Sequence, residues 1–231
     1  MANILCIETS TAVCSVALAL KGKLISSLRE DTPNSHSLKL TVLIESLLEQ
    51  ANVTAENLDA VAVSSGPGSY TGLRIGVSVS KGICYGAGIP LIGLPSLEVL
   101  AANFLEKHPE IEEKALLCPM IDARRMEVYS ALYNKALEEE RPVAAEIIDE
   151  NSFADIRSAR PTYYFGDGAS KCSSVIANPS AFFIDGIVPL ASAMIPLAKD
   201  RYKAGKFEDV AYFEPFYLKN FVATTPKNKF F

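Results

Sequence analysis

A carboxylate followed by three hydroxyls, Glu8-Thr9-Ser10-Thr11, closes the first apolar run of this chain, Ile4-Leu5-Cys6-Ile7. At a strand end such a set can hold a phosphate or a metal-bound water. The same residue types also hydrogen-bond their own backbone in ordinary turns, and spacing alone leaves both readings open. A second candidate is Ser64-Ser65-Gly66-Pro67-Gly68-Ser69, which follows Val61-Ala62-Val63 and opens a helix. A strand here delivers the chain to a tight turn that glycine and proline shape. Three motifs fail on it. Lys81 has no glycine before it, so no phosphate loop is completed. Thr71 stands where the dinucleotide pattern needs its last glycine, and Pro67 where the hydrolase elbow needs its first. The chain has two histidines, His36 and His108, in unrelated contexts, which gives little to a Ser-His-Asp triad or a two-histidine metal site. His36, at a helix start, reads as a cap or contact residue rather than a ligand. Asp122-Ala123-Arg124-Arg125 reads as a hairpin with solvated arginines at its tip.

The elements that must position these residues follow from hydrophobic period. Strands over 4–7, 15–20 and 24–30 form a meander. A helix after Pro33-Asn34-Ser35 carries Leu40, Leu43, Ile44, Leu47 and Ala51 on one face, with Leu38 and Val42 on the other. A strand over 59–65 leads into the glycine-bearing helix. That helix holds Gly72, Gly76, Gly82 and Gly86, each costing about 1 kcal/mol of helix propensity relative to alanine. Three stripes run along it. Leu73, Val77, Ser80, Cys84 and Ala87 form one, and bulky Leu73 and Val77 suit the helix's own sheet. Gly72, Gly76, Val79, Ile83 and Gly86 form a second, whose small residues admit a second helix, from this chain or from another subunit. Arg74, Ser78, Lys81 and Tyr85 form a polar third. A strand over 89–92 and a helix from Pro95-Ser96 to about 106 complete a first lobe, 1–107. The charged stretch 108–114 reads as the boundary. Strands over 116–121, 126–133, 143–148 and 162–166 follow, with a short helix before the last. Gly166-Asp167-Gly168 reads as a turn into another helix, and a final long helix ends near 203. The order implies an α/β protein of two related lobes, the second 108–231, its final helix and tail packing back on the first. No residue-level repeat links them.

Composition narrows the classes. The chain has 231 residues, 49% hydrophobic and 21% charged, with net charge −5, which argues against its being the main nucleic-acid surface. The tail lysines Lys219, Lys227 and Lys229 read as a solvated end. No apolar run is long enough to span a membrane, and the N-terminus lacks the features of a signal peptide. The five cysteines (Cys6, Cys14, Cys84, Cys118 and Cys172) form no C-x-x-C pair. They read as small core residues in a reducing cytoplasm.

Several of these runs together resemble the bacterial TsaB (YeaZ) family. They are Glu8-Thr9-Ser10, Ser35-His36-Ser37 heading an amphipathic helix, the stretch from Ser65-Gly66-Pro67-Gly68-Ser69-Tyr70 to Gly76, and Asp122-Ala123-Arg124-Arg125-Met126-Glu127-Val128-Tyr129. Pro215-Phe216-Tyr217-Leu218-Lys219 is similar to the family's closing motif, with lysine where arginine is usual. The resemblance implies an actin/hexokinase/Hsp70-like (ASKHA) fold of two ribonuclease-H-like lobes, the second reduced. It implies a part in making threonylcarbamoyladenosine beside the anticodon of tRNAs that read ANN codons. In that system a paralogous TsaD-type subunit carries the transferase chemistry, a TsaE-type ATPase is the third member, and tRNA is met only through the complex. The TsaD-type metal motif, H-x-x-x-H on the helix after the Gly-Pro-Gly helix, is replaced here by Ser96-Leu97-Glu98-Val99-Leu100. The expectation is therefore a non-catalytic activating subunit with no metal and no cofactor of its own. Weak ATP or ADP binding at a complex interface stays open, as does a residual phosphate contact at Glu8, Thr9 and Ser10. The expected partner interface is the second stripe (Gly72, Gly76, Val79, Ile83, Gly86) with His36, Leu40, Leu43 and Leu47, making homodimers when the partner is absent. The alternative is an enzyme of the same fold acting on ATP or on a peptide; ATP turnover and bound metal in the isolated chain would separate the two.

Overall fold

The computed structural model describes residues 1–157, 160–176 and 178–219. Strands β1 (Ile4–Glu8), β2 (Cys14–Leu20), β3 (Lys23–Glu30), β4 (Ala60–Gly66) and β5 (Leu91–Pro95) form a five-stranded sheet in the order β3-β2-β1-β4-β5. The β1–β2 and β2–β3 pairs are antiparallel; β4 is parallel to β1, and β5 to β4. A second sheet repeats this plan. Strands β6 (Leu116–Asp122), β7 (Glu127–Tyr133), β8 (Glu139–Ile147), β9 (Thr162–Phe165) and β10 (Ala181–Ile184) lie in the order β8-β7-β6-β9-β10. The pairings recur, antiparallel for β6–β7 and β7–β8, parallel for β6–β9 and β9–β10. The kinship of the lobes is thus one of connectivity, which a residue comparison does not reveal.

The second lobe is the reduced one. Helices α1 (His36–Gln50) and α2 (Tyr70–Ala87) cross over in the first lobe. Their counterparts are the four-residue α4 (Ala154–Arg157) and a 3₁₀ turn over Ser170–Cys172. The helix expected after Gly168 is therefore only that turn, and β10 is a strand the sequence reading lacked. Its four residues are too few to show a period. The last helix, α5 (Met194–Lys203), is ten residues long and follows a 3₁₀ turn over Ala191–Ala193. Pro196 is harmless to a helix only within its first turn, so the helix begins close before it.

Strands β1, β4 and β5 are buried on both faces, which explains their unbroken apolar runs. Leu5, Ile7, Val61 and Val63 point to one side, where they meet Leu40, Ile44 and Leu47 of α1 and Val77 and Cys84 of α2. Cys6, Ala62, Ile92 and Leu94 point to the other, against Met194, Ile195 and Ala198 of α5. Helix α3 (Ser96–Lys107) sends Val99 into that same cluster and Leu97, Leu100 and Phe104 into the core of the second sheet. All five cysteines are free and buried, and burial pushes the Cys14 and Cys84 thiols up to about 11. Among the described residues no helix is long and apolar enough to cross a membrane.

Candidate functional site

Glu8 ends β1 at the centre of the first sheet with no exposed surface. Its Oε1 accepts the Ser10 N–H at 2.6 Å, and its Oε2 has no partner. Burial pushes the carboxyl up to about 7, against the pull of the nearby Ser10 and Ser64 hydroxyls and the Ser10 and Thr9 N–H groups. Thr9 donates its N–H to Ser64 Oγ at 3.3 Å, tying the end of β1 to β4.

The glycines of α2 are explained here. A Cβ on Gly72 would lie 2.2 Å from the Thr9 carbonyl oxygen, and one on Gly76 would lie 2.2 Å from Thr9 Oγ1. The amino half of α2 rests directly on the β1–β2 turn, and only hydrogen fits between them. Gly68 serves the same contact, since its Cβ would meet the Ser10 oxygen at 2.3 Å, and the Ser69 N–H donates to that oxygen at 2.7 Å. Ser69 then caps α2 by accepting the Gly72 N–H at 3.2 Å.

The residues of the expected interface differ in burial. Gly72 and Gly76 face the chain's own β1–β2 turn. Leu40 and Leu47 are fully buried in the core under α1, and Leu43, Val79 and Ile83 pack half-buried against it. Leu73, Val77 and Cys84 are buried as their bulk required. Of the second stripe only Gly86 is open, with nothing within 4 Å of where a Cβ would sit; Gly82 is equally open. What α1 and α2 present outward is Leu38, 75% exposed, Val42, 51%, and Tyr85, 87%. His36 is buried, its Nε2 has no partner, and it lines a cleft rather than the outer face.

That cleft, about 780 Å³, opens between the lobes. Its first-lobe wall is Ser10, Thr11, His36 and the amino end of α2; its second-lobe wall includes Asp122, Arg124, Tyr129 and Asp167. Glu8 and Thr9 lie behind the wall and do not line it. Thr11 Oγ1, like His36 Nε2, is buried without a hydrogen-bond partner, and Ser10 Oγ makes no hydrogen bond although it sits near the Glu8 carboxyl. On the far wall Asp122 pairs with Lys171 and accepts the Arg124 N–H at 3.1 Å. Asp167 accepts the Asp122 N–H at 3.0 Å, and burial raises its pKa. Arg124 and Arg125 both adopt left-handed backbone, φ 72° and 54°, at a cost on the order of 1 kcal/mol each.

The carboxy-terminal segment closes one end of the cleft. Lys81 of α2 donates to the carbonyls of Ala211 (2.9 Å) and Phe213 (3.1 Å), and the Phe216 N–H donates to the Ser65 oxygen at 2.7 Å. Tyr217 packs its ring 4.8 Å from that of Tyr70, and Lys219 pairs with Glu127 of the second lobe. Lys219 is exposed and also engaged in that pair; Lys227 and Lys229 lie outside the described residues. Among the described residues no group of three or more His, Cys, Asp or Glu side chains could hold a metal ion. Ser96, at the head of α3, instead accepts the Gly66 N–H at 3.1 Å.

Residues 29–158 match the protein-family model described as "TsaD: tRNA N6-adenosine threonylcarbamoyltransferase". Over 230 residues the chain is 31% identical to "tRNA threonylcarbamoyladenosine biosynthesis protein TsaB" of Escherichia coli (strain K12), covering 96% of each chain. The chain belongs to the TsaB (YeaZ) family. The solved structure "YeaZ from Pseudomonas aeruginosa" superposes on this TsaB-family chain with a TM-score of 0.82 at 27% identity, over 94% of this chain and all of the other. The two-lobe plan reaches further, to the "Activator of the 2-Hydroxyisocaproyl-CoA Dehydratase from Clostridium difficile with bound ADPNP". That structure gives a TM-score of 0.50 at 9% identity over 88% of this chain and 97% of the other, a likeness of fold alone. The fold is the actin/hexokinase/Hsp70-like one, and this TsaB-family chain has a part in tRNA threonylcarbamoyladenosine biosynthesis.

Proposed function

We propose that the chain is a non-catalytic activating subunit of the threonylcarbamoyladenosine-forming complex. It docks on a TsaD-type transferase through the outward faces of α1 and α2. The observation that carries this reading is the apolar exposure of Leu38, Val42 and Tyr85 on two helices that cover one face of the same sheet. Apolar residues of this size on adjoining helices suit a helical partner surface. With a net charge of −5, the chain meets tRNA through the complex rather than alone, and a TsaE-type ATPase completes the assembly. Without a partner the same face pairs two copies of the chain. Ser96 and Leu100, at the positions where the TsaD-type metal motif would fall, are both buried, Ser96 as a hydrogen-bond acceptor and Leu100 in the core of the second lobe.

The test is co-purification with the TsaD-type protein of the same genome. The intact chain should come down as a complex, and the Val42→Glu variant should stay folded and lose it, since a carboxylate buried unpaired in an interface costs several kcal/mol. Cells lacking the chain should lose the modified nucleoside from digested tRNA although the transferase is intact. Threonylcarbamoyl transfer by the isolated chain, or an undiminished complex with Val42→Glu, would overturn the reading.

A further inference from the structure

Beyond α5 the chain folds back along α2 as a strap, residues 208–219, and the first half of it has a fixed seat. The Glu208 N–H donates to the Leu91 oxygen at 2.9 Å. Asp209 closes the next turn. Its Oδ1 accepts the N–H groups of Ala211 (2.8 Å) and Tyr212 (3.1 Å), and its carbonyl accepts the Phe213 N–H at 2.8 Å. Lys81 donates to the carbonyls on either side of Tyr212. Gly93 of β5 leaves room for the same turn, since a Cβ there would lie 2.8 Å from the Glu208 carboxylate and 3.1 Å from the Phe213 ring. Val210 and Phe213 pack against the core that α1 and α2 cover.

In the middle of this held turn the Tyr212 side chain is 83% exposed. A large ring on a fixed backbone leaves apolar surface in water, and it loses little conformational freedom when a partner covers it. Its place carries the argument further. Val79 and Lys81 are two residues apart, so they lie on nearly opposite sides of α2. Val79 packs toward the core under α1, and Lys81 reaches the strap. The outward side of α2 therefore lies between α1 and the strap. Tyr85, 87% exposed, sits one turn beyond Lys81 on the strap side. Exposed apolar side chains thus run from α1 (Leu38, Val42) through α2 (Tyr85) to the strap (Tyr212).

We propose that the strap is the third ridge of the docking surface, and that Tyr212, with Tyr85, anchors the TsaD-type transferase. The inference rests on the docking reading given above, and the continuity of the strap with the outward faces of α1 and α2 assigns it to the same partner. A tyrosine anchor offers a broad apolar ring and a hydroxyl that needs a hydrogen bond. The partner surface that meets it is accordingly an apolar pocket with a polar group at its floor.

Biolayer interferometry of the full chain on the immobilised TsaD-type protein of the same genome tests it. Tyr212→Ser and Tyr85→Ser should each weaken binding by about tenfold or more, with the melting temperature unchanged. Ile147→Ser, at an exposed apolar residue of β8 in the second sheet, should bind like the parent. Lys81→Met should weaken binding in the parent and add little in the Tyr212→Ser background, because Lys81 acts by holding the turn. If Val42→Glu abolishes the complex while folded Tyr212→Ser binds like the parent, the helices dock alone and the role of the strap is overturned. If neither substitution changes binding, the docking reading falls and this inference with it. A loss of self-association with transferase binding intact would also overturn the proposal.

Discussion

A carboxyl left with one oxygen unmet at the core of a sheet is a pH-dependent element of stability. Glu8 has its pKa raised from 4.5 to about 7 by burial. The folded state thus holds a proton that the unfolded state releases from about pH 4.5 upward. Stability is fully present below that pH and falls as pH rises through about 7, by up to about 3 kcal/mol. Glu8→Gln keeps an oxygen for the Ser10 N–H and removes the titration. Urea melts at pH 5 and pH 7.5 should differ less for the variant than for the parent. The glycines of α2 divide at the same scale. Gly76→Ala drives a Cβ into Thr9 and should cost roughly 1–3 kcal/mol. Gly86→Ala meets nothing and should stabilise by roughly 0.5–1 kcal/mol through helix propensity. Thermal melts that rank the two variants the other way would contradict this packing.

Helix α2 has two uses, divided along its length and around its circumference. Its amino half, through Gly72, Leu73, Gly76 and Val77, is committed to the sheet and the β1–β2 turn. Its outer side, with Gly82, Tyr85 and Gly86, is open. The stripe that joined Gly72 to Gly86 in sequence therefore spans a buried contact and a free surface. Glycine signals close approach without saying to what. The division predicts opposite outcomes for two like substitutions. Val77→Glu buries a carboxylate beside Leu5 and Ile7 and should unfold or lose about 3–5 kcal/mol. Val42→Glu, half in solvent on α1, should leave the melting temperature nearly unchanged and abolish association, as read by melting and size-exclusion chromatography together. A stable, monomeric Val77→Glu would show that the faces are assigned the wrong way round.

At the scale of the molecule, the two lobes are held together by chain that leaves one and returns to the other. Helix α3 contributes to the cores of both, and α5 comes from the second half of the chain to cover the first sheet. Beyond α5, Glu208 bridges to Leu91 on the outer strand β5, and the segment to Lys219 crosses α2 and reaches Glu127. It thereby covers a sheet edge that would otherwise be open to pairing. Ending the chain after Gly205 should lower the melting temperature and promote association through β5, measured by calorimetry and light scattering. A truncated chain that melts like the parent and stays monomeric would show that the segment is passive.

The sequence alone determined the element types of the first lobe, because long amphipathic helices and doubly buried strands write their burial into a period. Its motifs also carried the family, since the run from Ser65 to Gly76 is long and specific. The reduced lobe was less legible, because four-residue strands and 3₁₀ turns are too short for a period to emerge. The candidate site was split in the same way. Glu8, Thr9 and Ser10 were visible as chemistry, yet Glu8 and Thr9 proved to lie behind the wall of the cleft. Thr11, which lines it with an unmet hydroxyl, belongs to the same run, whose two readings spacing leaves open, and His36, which also lines it, reads from sequence as a cap or contact residue. Which hydroxyl of a Thr-Ser-Thr run faces a cavity depends on what packs over the turn, here the glycines of α2. That packing joins residues about sixty positions apart, and so only the tertiary structure decided it.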